Sequence, residues 1–165
     1  MKFVAGLLAA GLLMSPTSGR ADASVQAPDA AALLSEIDAS GPEVVFHRLW
    51  ANEHQFEAIC NRIETGDPSW LEVARRLRPP SDAAASLALN YSVARALPAA
   101  PALVLGLVGR GFAIHDICTS PFIEPDPGVA ERYEAQALKA LESLSGSRIS
   151  ALAVQFAEGV RLTGP

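Results

Sequence analysis

No HExxH, CxxC, GxSxG or phosphate-loop pattern occurs in the 165 residues. These absences leave the chain without the signatures of zincin peptidases, dithiol redox enzymes, α/β-hydrolases and P-loop nucleotide enzymes. Basic residues are also few: 13 Lys and Arg stand against 18 Asp and Glu, a net charge of −5. An acidic balance argues against nucleic acid and anionic membrane surfaces, because both are bound through clustered Lys and Arg. The one basic cluster, Arg75-Arg76-Leu77-Arg78, is short and reads as a solvated helix end. Only three histidines are present. His47 and His54 lie seven positions apart, about 10 Å along a helix axis, too far for one ion with ~2.1 Å metal–nitrogen bonds to reach both. No metal and no other cofactor is expected. Glu53, Glu57 and Glu64 form an acidic stripe on the same stretch, which reads as a solvated face. Gly106, Gly109 and Gly111 lack the order of a dinucleotide loop and read as a helix exit.

The N-terminus is where a long apolar run does occur. Lys2 precedes the apolar run Phe3 to Met14, Ser15-Pro16 breaks it, and Ala21-Asp22-Ala23 supplies small residues at −3 and −1. This is the pattern of a secretory signal peptide over residues 1–23, cleaved before Ser24 and directing the chain to the periplasm. As a membrane anchor the run is too short, making about 18 Å of helix against a hydrocarbon core of ~30 Å. No later run of eighteen apolar residues follows, so no membrane span is expected after cleavage. The mature chain, residues 24–165, keeps 11 basic and 17 acidic residues, a net charge of −6. Its length suits one domain with a hydrophobic core.

Export bears on the two cysteines, Cys60 and Cys118. In an oxidising compartment they are expected to form one disulfide. Closing a loop of about 59 residues would stabilise the fold by ~4 kcal/mol in the chain-entropy model. The alternative is a reactive thiol, with His115 three residues before Cys118.

The rest reads as helices. Asp29 caps a short helix that ends at Ala39-Ser40-Gly41, and Ser40-Gly41-Pro42-Glu43 follows the capping-box pattern. Val45, Leu49, Phe56, Ile59, Cys60 and Ile63 then recur on one side at 100° per residue. Asn52 falls inside that stripe and is expected to break it, capping a second helix. Asp67-Pro68 opens the next helix, with Leu71, Val73, Ala74 and Leu77, before Pro79-Pro80. Asp82 opens another, with Leu89, Val93 and Leu97. Pro101 to about Val108 is apolar on all sides and reads as a buried central helix; a central strand is the competing reading. Val129 to Leu144 is amphipathic, and Ser147 caps a final helix. The sum is an all-α domain of about seven or eight short helices in stacked hairpins.

One stretch interrupts the pattern: HDICTSPFIEPDPG, from His115 to Gly128. His115, Asp116 and Glu124 form its candidate functional loop, as an imidazole with nearby carboxylates can do acid–base work. Pro121, Pro125 and Pro127 favour a rigid turn instead. In that reading Cys118 fastens the turn while Phe122 and Ile123 plug apolar surface, so no catalytic residue is assigned.

The runs GDPSWLEVARRLRP, ALPAAPALVL and CTSPFIE resemble a family of small exported proteobacterial proteins of unknown function. Their patterns are GDPxWLxVAxxLRP, ALPxxPxxVL and C-x-x-PFIE, and the similarity covers about Gly41 to Pro125. The resemblance implies an exported, helical, disulfide-bearing protein. In size and composition the chain is also similar to helical periplasmic immunity proteins. The leading expectation is a non-enzymatic periplasmic protein-binding module, inhibitor- or immunity-like, whose acidic surface suits a basic envelope or secreted protein. An envelope-acting enzyme using the His115 loop is one alternative. A small-ligand carrier with a pocket near Trp50 and Trp70 is another.

Overall fold

The computed structural model describes residues 29–144. The expected signal peptide and the expected helix from Ser147 lie outside the described residues. Short polar side chains set half of the helix starts among the described residues. Asp29 accepts from the Ala31 N–H at 3.2 Å and opens α1 (Ala30–Ser40). Asn52 accepts from the Gln55 N–H at 3.1 Å, which separates α2 (Pro42–Trp50) from α3 (Glu53–Ile63). Asp67 accepts from both Ser69 and Trp70 at the head of α4 (Pro68–Leu77). Asp82 accepts from Ala85 and opens α5 (Ala83–Arg95). Each cap satisfies amide donors that the first helical turn leaves unpaired. The expected capping box at Ser40 does not form. Ser40 is the last residue of α1, and Gly41 at φ +86° joins it to α2 without a side-chain cap.

Three further helices follow: α6 (Pro101–Leu105), the single turn α7 (Ile114–Ile117) and α8 (Val129–Glu142). The described residues thus hold eight helices and no strand, only an isolated bridge between Val108 and Phe112. The domain is all-α. Successive helices pack on one another from α1 to α5, α5 also packs against α7, and α6 packs against α8. Phe46, Leu49, Ile59, Ile63, Leu77 and Leu89 are fully buried at the centre. Gly66 turns the chain between α3 and α4 at φ +76°, and a Cβ there would lie 2.8 Å from the Ala100 Cβ. Only glycine meets both demands.

Two expectations need correction here. α6 is shorter than expected and not central: it stops at Leu105, Leu103 is exposed, and Val104 is its one buried residue. The chain exits through Gly109 and Gly111, both at positive φ, so apolar composition here marks a half-covered surface turn.

The second correction is the disulfide. Cys60 and Cys118 are separate, buried free thiols. Packing accounts for this, since α5 lies against both α3 and α7 and each cysteine has its own surroundings. The Cys60 side chain is hydrogen-bonded to Ser92 on α5. Cys118 caps α7 near Tyr133 of α8, whose hydroxyl donates to the Ala94 carbonyl at 2.7 Å.

Candidate functional site

α3 and α5 run in the same direction. Two pairs show this, for Cys60 with Ser92 and Glu64 with Arg95 advance together along both helices. Between them lies a groove of about 660 Å³. The α3 wall is Phe56, Glu57, Cys60, Asn61 and Glu64, one stripe at helical spacing, with Glu53 and Trp50 at its start. The facing α5 wall is Ala88, Tyr91, Ser92 and Arg95. From Glu53 to Glu64 the groove runs about 16 Å along the helix axis.

Its two ends differ in charge. At one end Arg95 donates to Glu64 at 2.7 Å and to the Pro121 carbonyl at 2.7 Å. The Arg95 guanidinium also lies 5.2 Å over the Phe122 ring. Nε of the same arginine is buried and has no hydrogen-bond partner among the described residues. At the other end Glu53 and Glu57 are exposed, and neither has a salt-bridge partner among the described residues. Trp50 stands beside them, 37% exposed and held in place by neighbouring rings. Its ring stacks 6.3 Å from Phe46 and meets the Phe56 ring edge-on at 5.0 Å. Burial raises the pKa of the Cys60 thiol in the floor, opposed by the bond from Ser92, so this cysteine is a packed side chain and not a poised nucleophile.

The candidate loop is not assembled as a constellation. The His115 side chain is 83% exposed and that of the adjacent Asp116 only 15%. Asp116 is spent on structure: it accepts from Asn90 Nδ2 at 2.8 Å and from the Ala113 N–H at 2.8 Å. Arg78 lies 3.9 Å from its second oxygen. Glu124 is exposed at φ +47° and pairs with neither. Phe122 does pack, meeting Tyr133 edge-on at 5.4 Å, but Ile123 is 72% exposed and plugs nothing.

The basic cluster is not a solvated end either. Arg75 binds Glu72 at 2.6 Å, Arg76 reaches Asp38 of α1 at 2.6 Å, and Arg78 donates to Asn90 and Ser86 under the Phe112 ring. Arg76 and Arg78 tie α4 to α1 and α5, while the Arg75–Glu72 pair lies within α4 itself. Trp50 and Trp70 do not share a pocket, since Trp70 is buried beside Asp29, Ala30 and Arg62 at the start of α1. His47 and His54 are both exposed.

Among the described residues no group of three or more His, Cys, Asp and Glu could hold a metal ion, and no helix is long and apolar enough to cross a membrane. The acidic stripe was visible in the sequence. The facing stripe of Ala88, Tyr91, Ser92 and Arg95, which turns it into a groove, was not singled out there. Comparison with protein-family models, curated proteins and solved structures finds no match.

Proposed function

We propose that the chain is an exported, periplasmic, non-enzymatic binding protein that receives a segment of a basic envelope or secreted protein in the groove between α3 and α5. The groove carries the proposal. It is long enough for about three helical turns, apolar and aromatic along its floor, and acidic at one end. The excess of acidic residues over the whole chain adds steering toward a basic partner, through association rate more than through affinity.

A small-ligand carrier is the second reading, favoured by the groove volume alone, which falls in the range of about 300–1,000 Å³ common for ligand sites.

Retention from a periplasmic extract tests the proposal. The bait is the mature chain in its wild-type form and as Ala88→Arg, which fills the groove from a half-buried position. A stoichiometric protein held by the wild type and lost from Ala88→Arg supports the binding module. A bound small molecule in native mass spectrometry supports the carrier. A partner held equally by both forms contradicts the groove assignment.

A further inference from the structure

Resting on the groove reading, we infer that Trp50, Glu53 and Glu57 form a subsite for one cationic side chain, an arginine or lysine of the docked segment. The rest of that segment is apolar and covers Phe56, Ala88 and Tyr91.

Three independent features converge on this chemistry. The first is the aromatic platform. Trp50 keeps an exposed face on the groove while Phe46 and Phe56 fix its ring, so a cation meets a surface that is already ordered. A guanidinium or ammonium within about 6 Å of such a ring is attracted by its quadrupole.

The second is the carboxylate pair. Glu53 and Glu57 are four residues apart, hence one turn apart on the same face of α3. Two adjacent like charges repel, and a shared cation removes that repulsion. Elsewhere the carboxylates near this region are occupied: Glu36 holds Arg48 at 2.7 Å and Glu64 holds Arg95 at 2.7 Å.

The third is the asymmetry of the groove. At its far end the Glu64–Arg95 pair is internally neutralised and gains nothing from a further cation. Between the ends the lining is Phe56, Cys60, Asn61, Ala88, Tyr91 and Ser92, with the Cys60 thiol and Ser92 hydroxyl hydrogen-bonded to each other and Asn61 exposed to solvent. An apolar side chain over Phe56, Cys60, Ala88 and Ser92 displaces water there without stranding a polar group. The groove therefore fixes the direction of the segment as well as its composition, with the basic residue leading at the Trp50 end.

The test uses a synthetic helical peptide of about eleven residues, enough to span the groove. It carries one arginine in its first turn and leucines on the same face. A second peptide replaces the arginine with citrulline, which keeps the shape and removes the charge. Calorimetry with the full mature chain should show the citrulline peptide binding at least about tenfold more weakly, as expected for a lost charge-assisted contact. With Glu53→Gln/Glu57→Gln the difference between the two peptides should shrink to the roughly two- to fivefold that the Trp50 ring alone gives a cation. Both glutamates are exposed, and an unchanged helical spectrum confirms that the variant folds. Equal binding of the two peptides to the wild type overturns the cation subsite. Binding of neither peptide at millimolar concentration overturns it too. In both cases retention by wild type against Ala88→Arg still decides, separately, whether the groove is a docking site.

Discussion

His115 and Asp116 are consecutive, yet removing each should have opposite consequences. The imidazole is almost fully in solvent, and its 3.5 Å approach to Asp116 is a surface contact. His115→Ala should change unfolding free energy by no more than about 0.5 kcal/mol, as for most surface substitutions. Asp116→Ala strands the Asn90 amide and the Ala113 N–H, both at 2.8 Å, in a half-buried site. A loss of about 2–3 kcal/mol is expected in urea unfolding, the penalty of unpaired buried donors. The thiols give a second check at this scale. Alkylation of the denatured, unreduced chain should label two cysteines. In the native state at pH 8 labelling should be slow, because burial pushes the Cys118 thiol up to about 11 and shields the sulfur. The sequence could not foretell that the cysteines stay apart. A bridge requires Cβ atoms about 4 Å apart, and that distance depends on how α3, α5 and α7 pack, not on spacing in the chain.

Helix boundaries were the most legible level, and the reason is local. Asp29, Asn52, Asp67 and Asp82 each bond an amide two or three residues ahead, so the cap is written in adjacent letters. The Asn52 break, which sat inside an apolar stripe, was readable for the same reason. α6 was less so, since an all-apolar run says nothing of which faces are covered, and Leu103 remains exposed. The partners of Arg76 and Arg78 were also hidden, because Asp38, Asn90 and Ser86 come from other helices. Two substitutions at the α3–α4 junction separate cap from close packing. Asp67→Ala should cost about 1–2 kcal/mol, the usual range for a lost N-cap. Gly66→Ala should cost more than Gly41→Ala. Both sit at positive φ, but only Gly66 would also press its new methyl onto Ala100 at 2.8 Å. Thermal unfolding of the variants ranks them directly.

At the scale of the whole molecule, buried neutral groups set the alkaline limit. Burial raises the Cys118 thiol from 9.0 to about 11 and raises the Tyr133 hydroxyl as well. Between about pH 9 and about 11 the unfolded chain has released the Cys118 proton while the folded chain keeps it. The unfolded state then binds fewer protons, so stability falls as pH rises. Denaturation midpoints from pH 8 upward should decline through that window, and Cys118→Ala should flatten the decline.

The groove is a property of this same scale. Glu53, Glu57 and Glu64 on a helix read as a solvated face until Tyr91 and Arg95 arrive opposite them from α5. Photo-crosslinking addresses it most directly: a photoreactive residue no bulkier than leucine, small enough to leave the groove open, is placed at Ala88, inside the groove, or at Leu103, on the exposed turn of α6. Each form is then irradiated in the intact envelope. One protein adduct is expected from position 88, lost in Glu53→Gln/Glu57→Gln, and none from position 103. An adduct from position 103 with nothing at position 88 would contradict the groove assignment.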